Sequence, residues 1–152
     1  MAANIVAFIA SCAWGWVADA LGRRWAMVIP ALIAIPLAPI YLLTGNFTLI
    51  WWGFVLQGVA GSGGMYGQMP SYLSERFPTE VRATAAGFCY HQGAIWGGLV
   101  APVLAFVAVH YNLGYAIPML VGTVVAALSF VISILVGPET KGKQLVSDLV
   151  VA

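Results

Sequence analysis

Two adjacent polar residues, His91 and Gln92, sit inside an otherwise apolar run and are the residues of this 152-residue chain best suited to chemistry. Counting inward from Arg82, helical rise of about 1.5 Å per residue brings His91 roughly 14 Å deep, near the middle of a hydrocarbon core about 30 Å thick. Polar groups at that depth are costly unless they face protein or water, which makes them functional candidates by default. Histidine changes charge between pH 5 and 8, so His91 suits the movement of a proton. Neighbours on a helix point about 100° apart; one of the pair can meet a cavity while the other meets a packed helix. The structural alternative, a histidine hydrogen-bonded within the bundle, stays open. Gln57, Gln68 and Tyr90 are weaker candidates of structural character, and His110 lies too near a turn to matter centrally.

A second group of chemistry-bearing residues is charged. Gly15, Asp19, Gly22, Arg23 and Arg24 fall within ten residues, and Glu75, Pro78 and Arg82 recur later as Glu-x-x-Pro-x-x-x-Arg. The first stretch reads as a short loop with a glycine at each bend, and arginine forks there can hold a carboxylate or the carbonyls of a helix end. Asp19, Arg23, Arg24, Glu75 and Arg82 are expected to form one interhelical ion network, with Asp19 and Glu75 buried at helix ends. Solvated anchors are the other reading of the same residues. Arg76 and Glu80 read as surface charge.

The elements that must position these groups follow from composition. Hydrophobic residues make up 62% of the chain and charged ones only 7%, against roughly a quarter charged in a soluble domain. The expected fold is all-α, an integral membrane helical bundle. Five spans are expected at about 2–18, 25–43, 48–73, 83–109 and 115–136, followed by a tail at 138–152. The second span carries Pro30, Pro36 and Pro39, which a spanning helix tolerates when its neighbours satisfy the freed carbonyls. The third is rich in small residues; Ala60 with Gly64, and Gly63 with Gly67, stand four apart and let another helix approach closely. A backbone-lined gap that admits a substrate is the functional reading of the same stripe. Trp51 and Trp52 follow the turn at Gly45-Asn46 at the depth where amphipathic rings prefer to lie.

All six lysines and arginines fall after the first, third and fifth spans, and so do all five acids. Alternate loops share a side, so the positive-inside rule puts these loops and the carboxyl terminus in the cytoplasm and the amino terminus outside. No fixed charge remains in the hydrocarbon interior. Cys12 and Cys89 lie in distant apolar segments and indicate neither a disulfide nor a metal site, and no cofactor is called for. The apolar start lacks the basic leader of a cleavable signal peptide. An enzyme is not expected: there is no nucleophile–base pair and no metal-ligand spacing, and Gly61-Ser62-Gly63-Gly64 lies in an apolar span where a nucleotide cannot reach. Nucleic-acid binding is excluded by the division of the few basic residues among three loops.

The Gly15–Arg24 stretch, the Glu75-x-x-Pro78-x-x-x-Arg82 stretch and the exit Pro138-Glu139-Thr140-Lys141-Gly142 together resemble the loops of the major facilitator superfamily, in its sugar-porter-like branch. Their order and spacing match its carboxyl-terminal half. That family folds as twelve helices in two halves, so the resemblance implies that these five spans are helices eight to twelve. It also implies that Met1 marks a truncated or fragmentary reading, with seven amino-terminal helices of the same transporter as partners. The run from Pro70 to Gly93 is similar to the sialate and lactate proton-symporter group. The resemblance implies proton-coupled uptake of a small organic acid across the plasma (inner) membrane by alternating access. A sugar or aromatic-acid porter, or a half-bundle that transports nothing itself, are the alternatives. For an acid substrate, the Gln92 amide and His91 ring are the best-placed donors, since none of the five spans holds a lysine or arginine.

Overall fold

The computed structural model describes residues 1–142, which among themselves form only helices and turns. Lys143, Asp148 and the rest of the expected tail beyond Gly142 lie outside the described residues.

Helix α1 (Ala2–Leu21) and helix α2 (Arg23–Leu42) are separated by the single residue Gly22. Gly22 adopts φ +100°, a conformation L side chains rarely take, and a Cβ there would stand 2.8 Å from a Glu139 oxygen. Backbone conformation and crowding therefore both require glycine. This corrects the expected ten-residue loop: Gly15 lies inside α1, with open space around it and no bend. Asp19 belongs to the last turn of α1 and the paired arginines open α2.

The prolines of α2 show how a spanning helix accommodates missing donors. Pro30 has no N–H for the carbonyl of Ala26, four residues earlier. The indole Nε1 of Trp14, on α1, donates to that Ala26 oxygen instead. A side chain of the neighbouring helix thus satisfies a carbonyl that neither lipid nor α2 can.

Asn46 starts the next helical run by accepting the Thr48 N–H through its side chain at 2.9 Å. That run passes without interruption through helix α3 (Phe47–Gln57), a π-helical segment (Gly58–Tyr66) and helix α4 (Gly67–Ser74). It occupies the region expected for the third span, but its middle is π rather than α. The small residues there bring backbones together: a Cβ on Gly63 would stand 2.5 Å from the Ala10 Cβ, one on Gly67 3.1 Å from the Ser11 Cβ, and one on Gly64 would strike Pro30. The stripe packs against α1 and α2, which is the packing reading rather than the open gap.

Helix α5 (Arg82–His110) and helix α6 (Ala116–Val136) are the last helices among the described residues, joined by a tight turn in which Asn112 and Gly114 take φ +52° and +66°. Among the described residues, helices α1, α2, α5 and α6 are each long and apolar enough to cross a membrane, and the α3–π–α4 run is a further continuous helical stretch beside them. The packed centre is Met27, Val28 and Ala31 of α2, Tyr72 of α4, and Val131 and Ile134 of α6. Large apolar residues such as Phe88, Trp96 and Phe106 point outward, as a helical bundle in lipid permits.

Candidate functional site

Three segments distant in sequence meet on one face of the bundle: the α1–α2 break, the end of α4, and the strap that follows α6. Arg23 is their centre. Its guanidinium reaches Asp19 at 2.8 Å and Glu75 at 3.2 Å. Glu75 also accepts the Thr140 hydroxyl at 2.5 Å, so a residue of the strap is tied to the end of α4.

Glu139 holds the other side of the junction. Its carboxylate accepts the backbone N–H groups of Arg23 (2.9 Å) and Arg24 (3.2 Å), the first two of α2, and those of Thr140 and Lys141 at 3.0 Å each. An anion on the free N–H groups of a helix start is stabilised by the hydrogen bonds and by the helix dipole. Burial pushes the Glu139 carboxyl up, but the four backbone donors outweigh it and hold the group below its ordinary value. Two residues on, the Lys141 ammonium donates to the carbonyl of Ala20 at 2.7 Å, at the opposite, negative end of α1. The strap therefore clamps both helix ends that flank Gly22. Tyr72 fastens its base by donating from its hydroxyl to the Pro138 carbonyl at 3.1 Å.

The expected network is thus met in part and enlarged. Asp19, Arg23 and Glu75 come together, but the Asp19 side chain is 66% exposed, against 18% for Glu75, so the expectation that both are buried is corrected. Asp19 is one helical turn from Arg23 on an outer surface, where water reaches it. Arg24 turns away to the carbonyl of Leu135 at the end of α6. Arg82 donates through Nε to the carbonyls of Ser74 (3.0 Å) and Phe77 (3.2 Å), which ties down the turn that contains Pro78. Arg76 lies over the Tyr72 ring, 5.2 Å from its centre, and so is more than a solvated charge. Glu139, Thr140 and Lys141 carried no expected role. An acid, a hydroxyl and a base in three consecutive residues after Gly137-Pro138, on the side of the paired arginines, were the signal available.

Two cavities lie away from this face. One of about 230 Å³ runs between α4 and α5, lined by Pro70, Leu73, Ala86, Gly87, Tyr90 and His91. His91 is exposed, its ring perpendicular to that of Tyr90 with the ring centres 5.8 Å apart, whereas Gln92 is half-buried and does not line the cavity. The neighbours therefore diverge as the 100° step requires. The other cavity, about 280 Å³, lies among α2, α3, the π segment, α4 and α6, and Gln57 lines it. The carbonyl oxygen of the Gln57 side chain is buried with no hydrogen-bond partner. Among the described residues the Arg24 Nε shares that condition. Gln68 is buried.

Known proteins give this geometry a setting. The sequence model of the family described as Major Facilitator Superfamily matches residues 1–148. The inner membrane metabolite transport protein YhjE of Escherichia coli is 38% identical over 139 residues, which is 86% of this chain and 30% of that protein. The sialic acid transporter NanX of Escherichia coli is 33% identical over 86% of this chain and 31% of its own length. A cis,cis-muconate transport protein of Acinetobacter baylyi is 32% identical over 66% of this chain and 24% of its own length. The chain thus spans about a third or less of the curated relatives it matches.

Proposed function

This chain belongs to the Major Facilitator Superfamily, and from that membership we propose that it forms helices eight to twelve of a secondary active transporter. The remaining helices belong to the same longer protein, in keeping with the 30% of the length of its relative that this chain covers. The cargo is a small organic acid, a monocarboxylate such as lactate or an acid of the sialate type, taken up with a proton. Two relatives are named for sialic acid and for cis,cis-muconate, and both molecules are acids.

The observation that carries the reading is His91 on a cavity wall, a side chain of the type that can change charge between pH 5 and 8, whereas the other histidine, His110, ends α5 at the turn. His91 serves as the proton-carrying group and Gln92 as a donor to the substrate carboxylate. Gln57, with its unpaired carbonyl oxygen, is a third polar contact available to the completed bundle. The charged face is the cytoplasmic gate: Arg23, Glu75 and Glu139 lock α1, α2, α4 and the strap together when the path is closed on that side. The carboxyl terminus is cytoplasmic, by the one-sided placement of basic residues.

The test is counterflow in vesicles with the complete transporter, comparing radiolabelled lactate, sialate and a hexose. Exchange of an acid that is stimulated by an inward proton gradient supports the reading. Exchange of the hexose alone would move the protein to the sugar porters.

A further inference from the structure

We infer that the π-helical segment Gly58–Tyr66 is a register switch: its π form holds Gln57 and Tyr66 on one cavity, and its passage to α turns α4, parting that pair and the Glu75 contacts of the charged face. An α-helix advances about 100° per residue, so Gln57 and Tyr66, nine residues apart, would lie about 180° from one another on opposite faces. Both nevertheless line the cavity of about 280 Å³, with Met65 and Met69 between and beyond them and Ala126 and Phe130 of α6 across it. The bonds of a π-helix run from i to i+5, so its turn is wider and each residue advances by a smaller angle. About two such turns return Tyr66 to the side of Gln57.

The packing against α1 carries the same geometry. A Cβ on Gly58 would stand 2.7 Å from the Ala3 carbonyl oxygen, and one on Gly63 would stand 2.5 Å from the Ala10 Cβ. Ala3 and Ala10 are seven residues apart, two turns of α1, and so share a face. Gly58 and Gly63 are five apart, the span of one π bond. In an α-helix they would diverge by about 140° and could not both meet that face. Two separate sides of the run, the cavity side and the α1 side, are thus set by its π form.

Four of the nine residues, Gly58, Gly61, Gly63 and Gly64, are glycine, which weakens the preference for α. The segment is held from both ends. Asn46 caps the start of α3, and α4 is fastened at its far end by the Tyr72 hydroxyl on the Pro138 carbonyl and by Glu75 on Arg23 and Thr140. While those contacts stand, α4 cannot turn and the π form persists. Their release frees α4 to turn as the segment passes to α, which carries Tyr66 away from Gln57, whose buried side-chain oxygen has no hydrogen-bond partner. The charged face and the cavity thereby bias one two-state element, which is what coupling between them requires.

The inference rests on the reading of the charged face as a gate, and its test uses no cargo. In the complete transporter, with Cys12→Ser, Cys89→Ser and any further cysteines replaced, Tyr66→Cys and Ala126→Cys are joined by a short bifunctional thiol reagent. Crosslinking is expected, and Glu75→Gln, which loosens α4, is expected to lower its yield roughly twofold or more. Deleting Gly61 and Ser62 leaves Gln57 and Tyr66 seven residues apart, within about 20° of one face on an α-helix. That shortened variant should crosslink at a yield Glu75→Gln no longer changes. An unchanged yield with Glu75→Gln in the full-length segment overturns the switch, as does loss of crosslinking in shortened protein that has reached the membrane. Should the shortened variant fail to reach the membrane, Gly61→Ala, which favours α, decides: a lowered yield supports the switch and an unchanged or raised one overturns it. A yield lowered by Glu75→Gln with no change in distance across the charged face would instead defeat the gate reading alone.

Discussion

The Glu139 carboxylate accepts the first backbone N–H of α2, that of Arg23, at 2.9 Å, across 116 residues of sequence. The strap after α6 is thereby part of the α1–α2 junction. Glu139→Gln keeps the shape and removes the charge, and is expected to cost about 1 kcal/mol, the usual worth of an N-terminal cap. Because the folded-state pKa of Glu139 lies below its ordinary value of 4.5, the stabilisation is fully present above pH 4.5 and is lost as pH falls through the lower, folded value. The protection of the Arg23 and Arg24 amides against hydrogen exchange, taken relative to the intrinsic rate at each pH, should fall in acid for the wild type. The variant should exchange faster at neutral pH and show less of that acid step.

Gly22 gives a sharper structural test. A side chain there meets both φ +100° and a Glu139 oxygen 2.8 Å from its Cβ. Gly22→Ala should destabilise by about 1–3 kcal/mol, whereas Gly15→Ala, in open helix, should not. Thermal aggregation in detergent separates the two.

The two acids paired with Arg23 should behave differently. Asp19 is largely in water, and Asp19→Asn should change the open–closed balance by less than about 1 kcal/mol. Glu75 is mostly covered and also takes the Thr140 hydroxyl, so Glu75→Gln should shift the balance more. Distances between spin labels across the charged face in the complete transporter would report the populations. Equal shifts would show that exposure does not rank these acids.

Trp14 and Pro30 should be coupled. Trp14→Phe leaves the Ala26 carbonyl without its donor, at a cost of about 1–3 kcal/mol for a buried acceptor. In a Pro30→Ala background the helix supplies its own N–H, so the same Trp14→Phe should cost less. A double-mutant cycle on thermal stability measures the difference.

Much of the fold was legible in the sequence because lipid imposes simple rules. Apolar runs of about 20 residues must be helices, and the one-sided charges already separated the face on which Arg23, Glu75 and Glu139 meet. What was not legible depended on distant partners. Gly15 and Gly22 look alike in a ten-residue window; only the approach of Glu139 makes Gly22 the break. A glycine-rich run reads as any close-packed helix, and its π form accompanies contacts with Ala10, Ser11 and Pro30 on two other helices. Asp19 looked like a buried helix-end acid, yet its place one turn before Arg23 leaves it on the outer surface. That His91 and Gln92 diverge was legible from the helical step, but which of them lines a cavity was decided by the seating of α5 on α4.

The central claim is that His91 carries the coupled proton, and uptake of a radiolabelled organic acid against external pH, normalised to transporter in the membrane, tests it most directly. In the complete transporter, His91→Ala is expected to flatten the rise of uptake between pH 8 and pH 5 while the amount of folded protein stays near wild type, and Gln92→Ala to weaken substrate affinity with the pH profile retained. A wild-type pH profile and affinity in both variants would contradict the account and return the pair to packing.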